Sequence, residues 1–218
     1  MLNPANTIAG IAREVSSFPC VSYLDDVAMS DGLLCGSIGS AAVVACSDMG
    51  WLVPYVCSSR DVQLNLFQNF GHSFATGGLV ENIVGQGIEH VVIYGHTPCQ
   101  YTKYLAEQTV QRSNVDANVD EGLLKLYAKF LESENPDISE EVGQYQVLAE
   151  LGKMLADSSL APMVSNGKLK VHGWFYKTAE RQLTVFDPGR QAFIVPETRL
   201  KNSAVMKFIP DESHVGED

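Results

Sequence analysis

Two short segments hold most of the residues able to bind a metal or act as nucleophiles. The first is Cys46-Ser47-Asp48 and the second, about fifty residues later, is Gly95-His96-Thr97-Pro98-Cys99. Each follows a short apolar run, Ala41–Ala45 in one case and Val91–Tyr94 in the other. Short, nearly continuous runs rich in valine and isoleucine read as parallel strands covered on both faces. In open α/β sheets the ligand crevice lies beyond the carboxyl ends of such strands. If the two strands are neighbours, Cys46, His96 and Cys99 converge there. The His-x-x-Cys spacing lets both residues reach one ion from a single turn. Two thiolates and an imidazole suit a tetrahedral Zn²⁺, and three protein ligands leave one position open. Asp48 stands two residues from a ligand candidate, where a carboxylate orients a bound water, binds the metal itself, or caps a loop.

The remaining cysteines and histidines read differently. Taken singly, any cysteine here is a small buried hydrophobe. Cys20, Cys35 and Cys57 read as free thiols, with Cys57 near enough to Cys46 in sequence to serve as an alternative ligand. His90, His172 and His214 sit in strands or the tail. His72, between Gly71 and Ser73, is the best of the other histidines for a proton shuttle, although a structural place suits it better. A Cys99–His96 nucleophile pair is a remote alternative, because two cysteines converging on one histidine fit a metal better. The Gly85-x-Gly87 pair follows a helical stripe and has no third glycine, so it is not a dinucleotide loop.

The elements that must position these residues follow from apolar periodicity. A third strand is expected over Leu169–Tyr176, and a fourth over Arg181–Phe186 pairs antiparallel with it through a turn at Lys177–Glu180. Helical stripes run through Leu79–Val84, Leu123–Leu131 and Val147–Leu155, the last with Ser139 as its N-cap. Residues 111–121 and 132–136 read as polar loops. The alternation gives an α/β fold, a central mainly parallel sheet of about four or five strands flanked by helices. The whole of 1–218 reads as a single domain, with residues 1–40 as an N-terminal arm and 211–218 as an acidic tail.

Hydrophobic residues make up 45% of the chain and charged residues 19%, enough apolar material for a sizeable core. The formal net charge of −11 disfavours nucleic acids and anionic membranes as partners. No run is long and apolar enough to span a membrane, and the N-terminus lacks the basic start and apolar block of a signal peptide, so a cytoplasmic location is expected.

The paired motifs resemble those of the β-carbonic anhydrases: Ala-Cys-Ser-Asp after an apolar strand, then Val-Val-Ile-Tyr-Gly-His-Thr-Pro-Cys. The segment Gly143–Leu151 is similar to the helix before the family's last strands, and Leu169–Tyr176 to the strand carrying the family's His-Gly-Trp. The resemblance implies Cys46, His96 and Cys99 as zinc ligands, Asp48 as the aspartate beside the metal, and a lyase that hydrates CO2 through zinc-bound hydroxide. It also implies a homodimer or a multiple of dimers, with the first forty residues at the interface. Carbonyl sulfide and carbon disulfide are substrates of the same chemistry. The sequence departs from the family pattern at two positions. The family's arginine, two residues after the aspartate, is Gly50 here, and the glycine after the second cysteine is Gln100. Gln68-Asn69 likewise lies where the family has Arg-Asn. Without its arginine clamp, Asp48 is free to rotate and close the zinc shell as a fourth ligand. That arrangement would suit a catalytically degenerate protein whose zinc serves assembly or binding. Alternatively Arg60 replaces the missing cation. An apolar cleft lined by Val53, Phe67 and Phe70 is expected for a small linear substrate.

Overall fold

The computed structural model describes residues 40–49, 63–74, 78–113, 121–133 and 135–195. Six strands form one sheet: β1 (Ser40–Cys46), β2 (Gln63–Asn69), β3 (His90–Thr97), β4 (Lys170–Lys177), β5 (Gln182–Asp187) and β6 (Ala192–Ile194). Their spatial order is β2-β1-β3-β4-β5-β6. Strands β2, β1, β3 and β4 run parallel, while β5 and β6 are added antiparallel at one edge. The sheet is thus mainly parallel, as expected, but has two more strands than the apolar runs indicate. Strand β2 escapes the pattern because its glutamines and asparagines break the apolar run. Strand β6 escapes because it has only three residues.

Among the described residues, five α-helices accompany the sheet: α1 (Leu79–Gln86), α2 (Gln100–Ser113), α3 (Glu121–Glu132), α4 (Pro136–Leu155) and α5 (Ala161–Ser165). Helix α1 ends on Gly87, which takes the left-handed conformation at φ 63° and donates its N–H to Ile83 O. Helix α4 begins earlier than expected. Asn135, not Ser139, is its N-cap, accepting from Asp137 N with Pro136 in the first turn. Pro136 has no N–H to leave unpaired, so a residue pair that reads as a loop in fact starts a helix. Helix α2 covers part of the expected 111–121 loop. Its apolar face is only Leu105, Ala106 and Val110, too short to stand out in a polar sequence.

One face of the sheet carries the main core. Ala42 and Val44 of β1, Val91 and Ile93 of β3, and Val171 and Phe175 of β4 pack against Leu79 and Ile83 of α1. Val147, Leu148, Leu151 and Met154 of α4 complete that layer. These residues alternate along each strand, as the period of two requires. Helix α4 lies close to β3 because Gly95 has no side chain; a Cβ there would sit 2.4 Å from Val147 Cγ2. That close approach sets the height of the C-terminal end of β3, where His96 follows. No helix among the described residues is long and apolar enough to cross a membrane.

Candidate metal centre

Cys46 is the last residue of β1, and His96 is the last but one of β3. The two strands pair in parallel, so both side chains emerge at the same edge of the sheet. Asp48 follows in a single 3-10 turn, Ser47–Met49. Cys99 immediately precedes α2, a position where a side chain meets the free N–H groups of the helix's first turn. One side-chain ligand atom from each of Cys46, Asp48, His96 and Cys99 falls within a group 4.8 Å across. The expected convergence is therefore present.

The donor set fits a tetrahedral zinc ion. The Cys46 and Cys99 sulfurs are 3.9 Å apart, far beyond a disulfide bond of about 2.05 Å. Two sulfurs each about 2.3 Å from one tetrahedral zinc stand roughly 3.8 Å apart. Asp48 Oδ1 lies 2.7 Å from His96 Nε2. It lies off the direction in which the ring nitrogen bonds, so neither nitrogen of this buried imidazole has a hydrogen-bond partner. A buried polar group left without a partner carries a desolvation cost of roughly 1–3 kcal/mol, and a coordinated cation removes it.

The sulfurs are electrostatically unequal. Hydrogen bonding with Cys46 draws the Cys99 thiol down to about 7, opposed by burial and helped by the Thr102 N–H. Cys46 is pushed well above the usual thiol range, by that same bond and by burial. The first proton therefore leaves easily, and the second leaves only when a cation arrives. Zinc binding at neutral pH is expected to release at least one proton, because the Cys46 thiol keeps its proton until the cation arrives. Affinity climbs with pH, because zinc competes with protons for sulfur. Calorimetry in buffers of different ionisation enthalpy measures this release, and zinc uptake without proton release would contradict the arrangement.

The other sequence expectations divide. His90 and His172 face each other, Nδ1 to Nε2 at 3.0 Å, at the end of the strands away from Cys46, which suits a structural role. His72 does not suit proton relay, because it is 1% exposed and burial pushes its imidazole down to about 3. A histidine that stays neutral when folded binds fewer protons than the unfolded chain below pH 6.5. His72 therefore costs stability as pH falls from about 6.5 toward 3, by up to about 1.4 kcal/mol per unit. Urea midpoints of parent and His72→Gln should diverge over that window in favour of the variant, and parallel curves would contradict this. Phe67 pairs in register with Val44 and packs against the main core. Phe70 is 55% exposed and meets Tyr101 edge-on. Gln100 opens α2 and is exposed. Gly50, Val53, Cys57 and Arg60, like the N-terminal arm through residue 39 and the acidic tail, lie outside the described residues.

Sequence reasoning missed the groups around the sulfurs. Gly71 N donates to Cys46 Sγ at 3.3 Å. Thr102 Oγ1 donates to Gln146 Oε1 at 2.8 Å, linking the first turn of α2 to α4. The one available signal was Gln146 and Glu150, two polar residues on an otherwise apolar helix face.

The sequence profile of the carbonic anhydrase family matches residues 41–183, about two thirds of the chain. The chain belongs to the β-carbonic anhydrase family. Among solved structures, the β-carbonic anhydrase CcaA superposes with a TM-score of 0.55 at 18% identity, covering 74% of this chain and 85% of that one. CafA of the fungal pathogen Aspergillus fumigatus gives 0.50 at 20% identity, over 70% of this chain and 77% of its own. A variant of CafD from the same fungus gives 0.50 at 14% identity, over 76% and 97%. At these identities the likeness is one of fold. No curated protein matches the sequence.

Proposed function

We propose that this chain is a zinc lyase that hydrates CO2 to bicarbonate, with Cys46, His96 and Cys99 as the metal ligands and Asp48 as the residue that governs the fourth position. The observation that carries this reading is the single cluster of two thiols, an imidazole and a carboxylate at the carboxyl ends of parallel strands. Zinc held there supplies a water acidic enough, with a pKa of about 7, to attack an electrophilic carbon at neutral pH. The chain's own part is to orient and to exclude. Cys46, His96 and Cys99 are all buried, while the Asp48 side chain is 35% exposed. With zinc bound, its carboxylate would orient the attacking water, or, turned inward, would take the fourth position itself. Carbonyl sulfide and carbon disulfide present a similar linear, electrophilic carbon and are the alternative substrates.

A second reading keeps the zinc but closes the site, leaving a role in assembly or binding. The 2.7 Å approach of Asp48 to His96 favours it, since the carboxylate already reaches the ligand cluster. Arg60 as replacement cation for Asp48, and Gln100 beside Cys99 as a supporting group, belong to the enzymatic reading. So does a homodimer, on the strength of family membership. A reducing compartment such as the cytoplasm suits two thiols that must stay unlinked at 3.9 Å. The two readings separate on the cobalt-substituted protein. Added azide or bicarbonate shifts the visible spectrum of an exchangeable fourth position and leaves a closed one unchanged. A chain that takes up neither zinc nor cobalt contradicts both.

A further inference from the structure

Residues 70–74, which follow β2, are clamped from two sides. Asn69 Nδ2 donates to Ser73 O at 2.7 Å, and Ser73 N donates back to Asn69 Oδ1 at 2.9 Å. From below, Glu150 of α4 accepts from Phe74 N at 2.8 Å and from Ser73 Oγ at 3.4 Å, both on Oε2. Its other oxygen, Oε1, pairs with Lys153. The Glu150 side chain is 8% exposed, while Lys153 is 59% exposed. Between the clamps the chain reverses through two left-handed residues, Gly71 at φ 95° and His72 at φ 46°. That reversal aims Gly71 N–H at the Cys46 sulfur. Position 71 admits no side chain, since a Cβ there would meet the Tyr101 ring at 1.9 Å.

The identity of residue 150 is not explained by packing. Its helix neighbours Val147, Leu151 and Met154 are fully buried in the core, and an apolar side chain would bury at lower cost. What the carboxylate adds is a charge-assisted hold on the Phe74 amide. An N–H donor on a thiolate draws charge from the sulfur, and such outer contacts tune a metal centre.

We propose that Glu150 is a positioning residue for the metal centre: by holding Ser73 and Phe74 it keeps the Gly71 N–H on the Cys46 sulfur and so sets how much charge that sulfur gives the metal. This rests on the reading of Cys46 as a ligand.

The test is cobalt(II) titration of the full-length metal-free chain, read at the sulfur-to-cobalt charge-transfer band and by competition with a chelator. The parent should show the band, and Cys46→Ser, at cobalt concentrations high enough to saturate its weakened site, should lose roughly half its intensity, one of two thiolates being gone. Glu150→Leu is expected to move the band to lower energy, as an electron-richer sulfur requires, and to weaken cobalt binding about tenfold. Glu150→Gln keeps an acceptor for Phe74 and should show a smaller shift in the same direction. It decides the matter alone if the leucine variant does not fold. Lys153→Met, which removes only the partner on the far oxygen, should match the parent. A parent-like band and affinity in the folded Glu150 variants, or an equal shift in Lys153→Met, would overturn the positioning role and leave Cys46 as a ligand. A parent without the band, or an undiminished band in Cys46→Ser, would overturn both.

Discussion

Cys46→Ser is expected to leave a folded chain that no longer retains zinc. Cys46 is fully buried at the end of β1 and is one of two sulfurs in the cluster. Zinc sites built from cysteine and histidine carry an apparent binding free energy of roughly 10–16 kcal/mol. An even share among four ligands is about 3–4 kcal/mol, so losing one thiolate weakens binding on the order of several hundredfold. The serine hydroxyl does not replace it, because it stays protonated where a thiol ionises. The fold should survive. The change removes little volume, and the Gly71 N–H that now meets the sulfur can meet an oxygen instead. Metal analysis after dialysis against a weak chelator checks this, with circular dichroism to show that the chain is folded. Zinc content equal to the parent's would remove Cys46 from the ligand set.

Asp48→Asn is expected to separate binding from turnover. Asp48 lies in a short, exposed 3-10 turn, so the isosteric amide should cost little stability. The three buried donors remain, and zinc content should stay near that of the parent. What changes is the charge facing the fourth position. A carboxylate accepts a hydrogen bond from the attacking water and favours its approach; an amide does this only weakly. Positioned acid–base groups contribute about 10²- to 10⁴-fold, so turnover should fall by at least about a hundredfold with zinc unchanged. Hydration equal to the parent's would remove Asp48 from the mechanism. A rise in turnover would identify the carboxylate as a plug that competes for the metal, the closed-site arrangement.

The parts of the fold that were legible in the sequence are those where burial alone selects residues. Strands β1, β3 and β4 are buried along nearly their whole length, so they appear as runs of alanine, valine and isoleucine. The metal cluster was legible because its residues end two of those runs. Strand β2 forms one edge of the sheet, and its Gln63, Asn65 and Gln68 disguise it. Helix α2 was hidden by a polar surface, and the start of α4 by a proline that reads as a breaker but serves as a first-turn residue. The contacts around the sulfurs are harder to foresee for a different reason. The Gly71 N–H is a backbone group with no side-chain signature, and Glu150 reaches residues 73 and 74 only after the sheet and helix have folded together. Arg60, the alternative partner for Asp48 in place of the missing arginine, lies outside the residues the structure describes.

The most direct test of the central claim is stopped-flow CO2 hydration by protein shown to carry one zinc per chain. The account predicts hydration well above the uncatalysed rate, abolished by a strong chelator and restored by added zinc. Hydration no faster than buffer, from fully zinc-loaded protein, would contradict CO2 as the substrate.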